Sequence, residues 1–257
     1  MLLVAIDTSG RNGSVALCRG GHDSFETLQL SPVEGGAYSA RLMPTIADVL
    51  AGNSFTKEQI DAFVIVSGPG SFTGLRVGIA TVKGLCEVLH KPLAAVSMLE
   101  AVAVVRGPQV LQGRELRPDA SKGHGFSRTE GVAWDAASAA EVKVTVALDA
   151  GRGEVYVGEF ELSDWRASVL HEYMAKLDAF AAEASSRGAA VLTPDSKVAD
   201  ALLAARAATQ IVDPVRANDI GRLGLTKLLR GEAVDPATLD ANYIRRSDAE
   251  LFSAPKR

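Results

Sequence analysis

Only two cysteines, Cys18 and Cys86, are available to this 257-residue chain for disulfides or thiolate ligands. They are too few for a disulfide framework and lack metal-like spacing, which points to a reducing compartment. The four histidines, His22, His90, His124 and His171, are scattered, with no pair at i, i+3 or i, i+4. A histidine-based metal site is therefore not encoded locally, and we expect neither metal nor cofactor. No apolar run reaches the roughly 18 residues that a membrane-spanning helix needs. The opening MLLVAIDTSG has no basic stretch and meets Asp7 early, so it reads as a strand rather than a signal peptide. A formal net charge of -4 leaves no global basic field for nucleic acid. These absences predict a cytoplasmic globular protein with no membrane contact. Three phosphate or nucleophile signatures are missing as well: G-x-x-x-x-G-K-[ST], G-x-G-x-x-G and G-x-S-x-G.

What is present is a repeated order of elements. LLVAID (2–7), SVALC (14–18) and FETLQL (25–30) read as short strands parted by polar turns. Leu42, Ile46, Val49 and Leu50 recur at helical spacing in 38–52, with Pro44 near the start where proline is tolerated. The run AFVIVS (62–67) reads as a buried strand, followed by a helix over 71–90, a strand over 92–97 and a helix over 99–105. The second half reads alike: strands 144–149, 154–162 and 169–174, helix 177–188, strand 190–194 and helix 198–208. A duplicated α/β unit with two mixed sheets facing across a cleft follows. The stretch 106–141 has glycine, proline and scattered charge without periodicity, and is predicted to be a disordered or mobile surface loop. A helix over 216–231 and a tail anchored by Tyr243 and Ile244 complete the chain.

Three stretches invite chemistry. Asp7, Thr8 and Ser9 end the first strand; such a turn either holds phosphate and magnesium or caps itself through local hydrogen bonds. SGPGSFTGLRVGIATVKG (67–84) places a strand, a Gly-Pro-Gly turn and a helix in series, a generic anion site at most. Interior glycines cost a helix about 1 kcal/mol each relative to alanine, so Gly74 and Gly78 imply a close approach. Too many faces of that helix are apolar for packing on one sheet alone. Either a partner helix lies over the glycines or the helix is enclosed within the chain. Asp149, Arg152 and Glu154 form a charged turn, either a solvated hairpin tip or an acid–base pair.

AIDTSGRNGSVAL, SGPGSFTGLRVGIATVKGL, PLAAVSMLEAVA, LDAGRGEVY and ANYIRRSDAE together resemble the TsaB (YeaZ) family. The resemblance covers nearly the whole chain outside 106–141. It implies the two-lobed ASKHA fold of actin, sugar kinases and heat-shock ATPases, with RNase H-like lobes. It also implies an accessory, non-catalytic role in making N6-threonylcarbamoyladenosine at position 37 of ANN-decoding tRNAs. In such a system the chain pairs with and activates TsaD, the catalytic paralogue; a TsaE-type ATPase joins the pair, and tRNA is met only through the complex. Alone, the chain is expected to form a homodimer.

Carried over position by position, the partner interface comprises Ser71, Phe72, Thr73, Leu75, Arg76, Gly78, Ile79 and Val82, with Ser39, Leu42 and Met43 from the neighbouring helix. Asp7, Thr8, Ser9 and Asp149 would line a nucleotide cleft if one exists. The chain departs from the family pattern at Tyr38, where histidine is frequent, and at Gly151, where arginine is frequent. The expected lobes are 1–105 and 106–215, with 216–257 returning to the first. The rival readings are a nucleotide-binding ATPase or peptidase-like enzyme active by itself, and a stand-alone tRNA-binding module.

Overall fold

The computed structural model describes residues 1–111, 142–163, 166–188, 190–242 and 244. Most of the predicted 106–141 loop, together with His124 and Tyr243, lies outside them. Two compact units emerge: Met1–Ala101 with the residues from Val215 onward, and Val102–Pro214.

In the first unit, β1 (Leu2–Asp7), β2 (Asn12–Gly20) and β3 (Phe25–Glu34) form an antiparallel meander. β4 (Ala62–Gly68) joins β1 in parallel and β5 (Leu93–Ser97) joins β4 in parallel, giving the order β3-β2-β1-β4-β5. All of LLVAID is buried because both faces of this sheet are covered. Val4 and Ile6 point to a core shared with Leu42, Ile46 and Val49 of α1 (Tyr38–Gly52) and Ile79 and Val82 of α2 (Phe72–Leu89). Ala5 and Cys18 point the opposite way, toward Gly221 of α6 (Ala217–Leu229).

The second unit repeats the plan. β6 (Val142–Gly151), β7 (Glu154–Ser163) and β8 (Arg166–Lys176) run antiparallel, and β9 (Val191–Thr193) and β10 (Thr209–Ile211) add in parallel. The order β10-β9-β6-β7-β8 equals the first sheet's order read from its other edge. The duplicated α/β prediction is borne out. Phe180 and Ala184 of α4 (Leu177–Arg187) and Val198 and Leu202 of α5 (Ser196–Ala204) close one face over Val155, Val157 and Val191.

Among the differences from the sequence reading, three concern the later elements. β10 was not predicted, since three residues carry no measurable alternation. α3 runs Met98–Leu111 rather than ending at 105. Gly107 explains the extension: a side chain there would meet Leu162 and Val144, so its absence lets the helix settle on the second sheet. Packing there outweighs the unfavourable propensity of Gly107 and Pro108. α5 begins earlier and ends earlier than the predicted 198–208.

Candidate functional site

The site is built around the C-terminal end of β1. Asp7 and Ser9 are almost fully enclosed. One Asp7 carboxylate oxygen, Oδ1, accepts hydrogen bonds from the Ser9 N–H at 2.8 Å and from the Ser9 hydroxyl at 2.6 Å. Of the two readings open for this turn, self-capping is the one the geometry displays. Burial pushes the Asp7 carboxyl above its ordinary range, and the two Ser9 hydrogen bonds oppose that shift without cancelling it. Tyr38, the first residue of α1, donates its hydroxyl to the Gly10 carbonyl at 2.7 Å. Its phenol is pushed up to about 12, first by burial and then by the Asp7 charge.

Behind this turn lies the glycine helix. Ser71 caps α2 by accepting from the Gly74 N–H, and its own N–H donates to the Ser9 carbonyl at 2.6 Å. A Cβ at Gly74 would overlap the Thr8 carbonyl oxygen and crowd Tyr38 Cε2 at 3.2 Å. A Cβ at Gly78 would overlap the Thr8 hydroxyl. The close approach that the glycines announce is thus made within the chain, to the end of β1. The expectation of a partner helix over Gly74 and Gly78 is corrected: the helix face carrying them is enclosed by its own sheet. Thr8 is fully buried and its hydroxyl has no hydrogen-bond partner among the described residues.

That correction divides the interface expected from the resemblance. Leu42, Leu75, Gly78, Ile79 and Val82 are buried in the unit's own core, so they support the surface rather than forming it. Ser39, Met43, Ser71, Phe72, Thr73 and Arg76 are exposed. Met43 on α1 is 47% exposed and Phe72 on α2 is 39% exposed. The Arg76 guanidinium carbon stacks 3.7 Å from the centre of the Phe72 ring. Further along α2, Ala80, Gly84 and Val88 continue the outward stripe. The sequence reading did not single out Ala80 and Val88; their signal is the register four residues beyond Arg76 and Gly84.

The residues that hold part of the tail as a strap were not predicted. Lys83 on α2 donates to the carbonyls of Ala237 and Leu239, each at 3.0 Å. Val234 bridges Leu93, and the Asn242 N–H donates to the Ser67 carbonyl at 2.7 Å. A lone lysine on a mostly apolar helix was the available clue.

In the second unit, Asp149 holds the start of its hairpin turn. Its Oδ1 accepts from the Gly151 N–H at 3.0 Å and pairs with Lys197 at 3.3 Å, while its own N–H donates to Asp195 Oδ2. Burial raises the Asp195 carboxyl, partly offset by that N–H. Among the described residues, no group of three or more His, Cys, Asp and Glu is placed to hold a metal ion. No described helix is long and apolar enough to cross a membrane. The buried thiols of Cys18 and Cys86 are pushed up to about 12 and about 11 by desolvation, so neither is a ready nucleophile.

Comparison with known proteins places this geometry in context. A family model described as TsaD, tRNA N6-adenosine threonylcarbamoyltransferase, matches residues 34–114. The chain is 35% identical over 103 residues to the tRNA threonylcarbamoyladenosine biosynthesis protein TsaB of Haemophilus influenzae, covering 40% of this chain and 42% of that one. The chain thus spans less than half of that relative. It is 29% identical over 189 residues to TsaB of Escherichia coli, covering 69% and 68%. A solved Pseudomonas aeruginosa protein described as similar to peptidase YEAZ superposes with a TM-score of 0.66 at 25% identity, covering 95% of this chain and 99% of that one. In these matches and in its two-sheet plan, the chain is similar to members of the TsaB (YeaZ) family.

Proposed function

We propose that this chain is an accessory subunit in the biosynthesis of N6-threonylcarbamoyladenosine on tRNA, docking through α1 and α2 on a TsaD-type catalytic paralogue. The names of its relatives support the pathway. One observation carries the docking: Met43 and Phe72 stand out from adjacent helices whose other faces are spent on the core. Exposed large apolar residues on a helical pair are the anchors that buried interfaces use. The chain contributes no reacting group in this reading; it holds the paralogue in a competent arrangement, a TsaE-type ATPase joins the pair, and tRNA is met only in the complex. Without the paralogue, the same face joins two copies in a homodimer. The complex works in the cytoplasm.

Light-scattering mass on a sizing column tests this, first with the chain alone and then with the TsaD-type paralogue of the same organism. A homodimer converting to a heterodimer is expected. A monomer indifferent to the paralogue overturns the reading.

A further inference from the structure

We infer that an apolar helix of the paralogue crosses α2 at Gly84, where the two backbones come closest. This inference rests on the proposed docking and names the contact point and the chemistry of the occupant.

Gly84 lies inside α2, and a side chain there would begin in open space. The other described glycines with that freedom have a local reason for it. Gly36, Gly151, Gly153, Gly188 and Gly231 have positive φ, and Gly21 lies between β2 and β3. Gly74 and Gly78, on the same helix, are accounted for by Thr8. Among the described residues, Gly84 is the glycine within a helix whose missing side chain makes room for nothing in the chain. It forgoes the helix stabilisation that alanine would give, with no internal contact in return. The room it makes faces outward.

Phe72, Arg76, Ala80, Gly84 and Val88 follow one another at intervals of four, and all are exposed. Such a row is one of the ridges along which helices pack. At 1.5 Å per residue it runs for about 24 Å. Val88 is 73% exposed, so apolar side chains stand at both ends of the row, with a low saddle at Ala80 and Gly84 between them. The neighbours of Gly84 leave that saddle open: Lys83 turns to the strap carbonyls, and Leu85 packs against the core.

Packed helices lie about 8–10 Å apart, a separation set by the side chains at the contact. Without a Cβ on Gly84, an incoming ridge rests on the backbone of α2. A stable interface buries about 800 Å² on each side, which calls for the length of the helix rather than its first turn. The segment 34–114, which contains α1 and α2, matches the TsaD family model, so a TsaD-type paralogue has a similar pair of helices to bring. The occupant is an apolar ridge on one of them.

The test measures paralogue affinity and melting temperature for wild type, Gly84→Ala and Gly84→Leu. Because the position is open within the chain, both variants should melt at or above wild type, by up to about 2–4 °C. Affinity should nevertheless fall about 10-fold in G84A and on the order of 100-fold or more in G84L. Stability gained while affinity is lost is a combination that a merely structural glycine does not produce. Wild-type affinity in G84L overturns the inference while leaving the docking intact. A lower melting temperature in G84A overturns it as well, since the glycine would then serve the chain itself. A wild type that ignores the paralogue removes the docking and the inference together. Light-scattering mass of each variant alone checks the other occupant. If G84L breaks the homodimer but binds the paralogue like wild type, the helix over Gly84 belongs to a second copy and the assignment fails.

Discussion

The Thr8 hydroxyl occupies the space where a side chain at Gly78 would begin. A pair of residues far apart in sequence thus determines how closely α2 lies on the end of β1. The same hydroxyl is buried without a hydrogen-bond partner among the described residues, so steric fit, rather than polar pairing, governs this contact.

Gly78→Ala should therefore destabilise the chain by roughly 1–3 kcal/mol through overpacking. Thr8→Ala removes the atom in the way, so the double variant should recover much of that loss, with a coupling of about 1 kcal/mol or more in urea melts. Gly74→Ala should not be rescued by Thr8→Ala, because its obstacle is the Thr8 backbone carbonyl. Gly84→Ala faces open space and should be neutral or stabilising by up to about 1 kcal/mol. Additive losses for Gly78 and Thr8 would refute the contact. A bulky residue at Gly78 is a poor probe of pairing, since it would strike the chain's own core first.

Exposed and buried members of the docking helices should separate in experiment. Phe72→Ala and Met43→Ala should each weaken paralogue binding about 10-fold with little change in melting temperature. Leu42→Ala, which empties a core position, should cost about 2–5 kcal/mol of stability. Titration calorimetry and thermal melts on the same preparations decide it; equal effects on both readouts for all three would contradict the division.

Asp7 makes stability depend on pH in a definite direction. Its folded pKa is raised above the ordinary 3.8, so the folded chain holds the proton more tightly than the unfolded chain. That contribution to stability is complete below the unfolded value and is lost as pH rises through the folded one. Asp7→Asn keeps an acceptor for Ser9 and removes the charge. Its stability relative to wild type should grow from about pH 4 upward and level off once Asp7 is ionised in both states. A flat or declining difference across that window would show that burial does not dominate.

The strap depends on one side chain. Lys83→Met keeps the apolar stem and removes the donors to Ala237 and Leu239. Hydrogen exchange across 235–242, including the Asn242 amide on Ser67, should accelerate roughly 10- to 150-fold, as expected for losing charge-assisted bonds of roughly 1.5–3 kcal/mol. Unchanged exchange would mean that the strap is held by Val234 and its apolar packing alone.

Much of the fold can be read without coordinates. The continuous run AFVIVS and the spacing of Leu42, Ile46 and Val49 each report a local pattern that burial imposes directly on sequence. The doubled order of elements was equally plain, and so was the demand for close approach at Gly74 and Gly78. Sequence alone did not determine what approaches, because a missing side chain records only that space is needed, never which atoms fill it. That choice belonged to Thr8, brought to α2 by the parallel pairing of β1 with β4. Likewise, the apolar residues of α2 looked alike until packing buried Leu75, Ile79 and Val82 and left Phe72 outside. The strap, β10 and the extension of α3 are tertiary decisions too: each is stabilised by long-range contacts that no local pattern encodes.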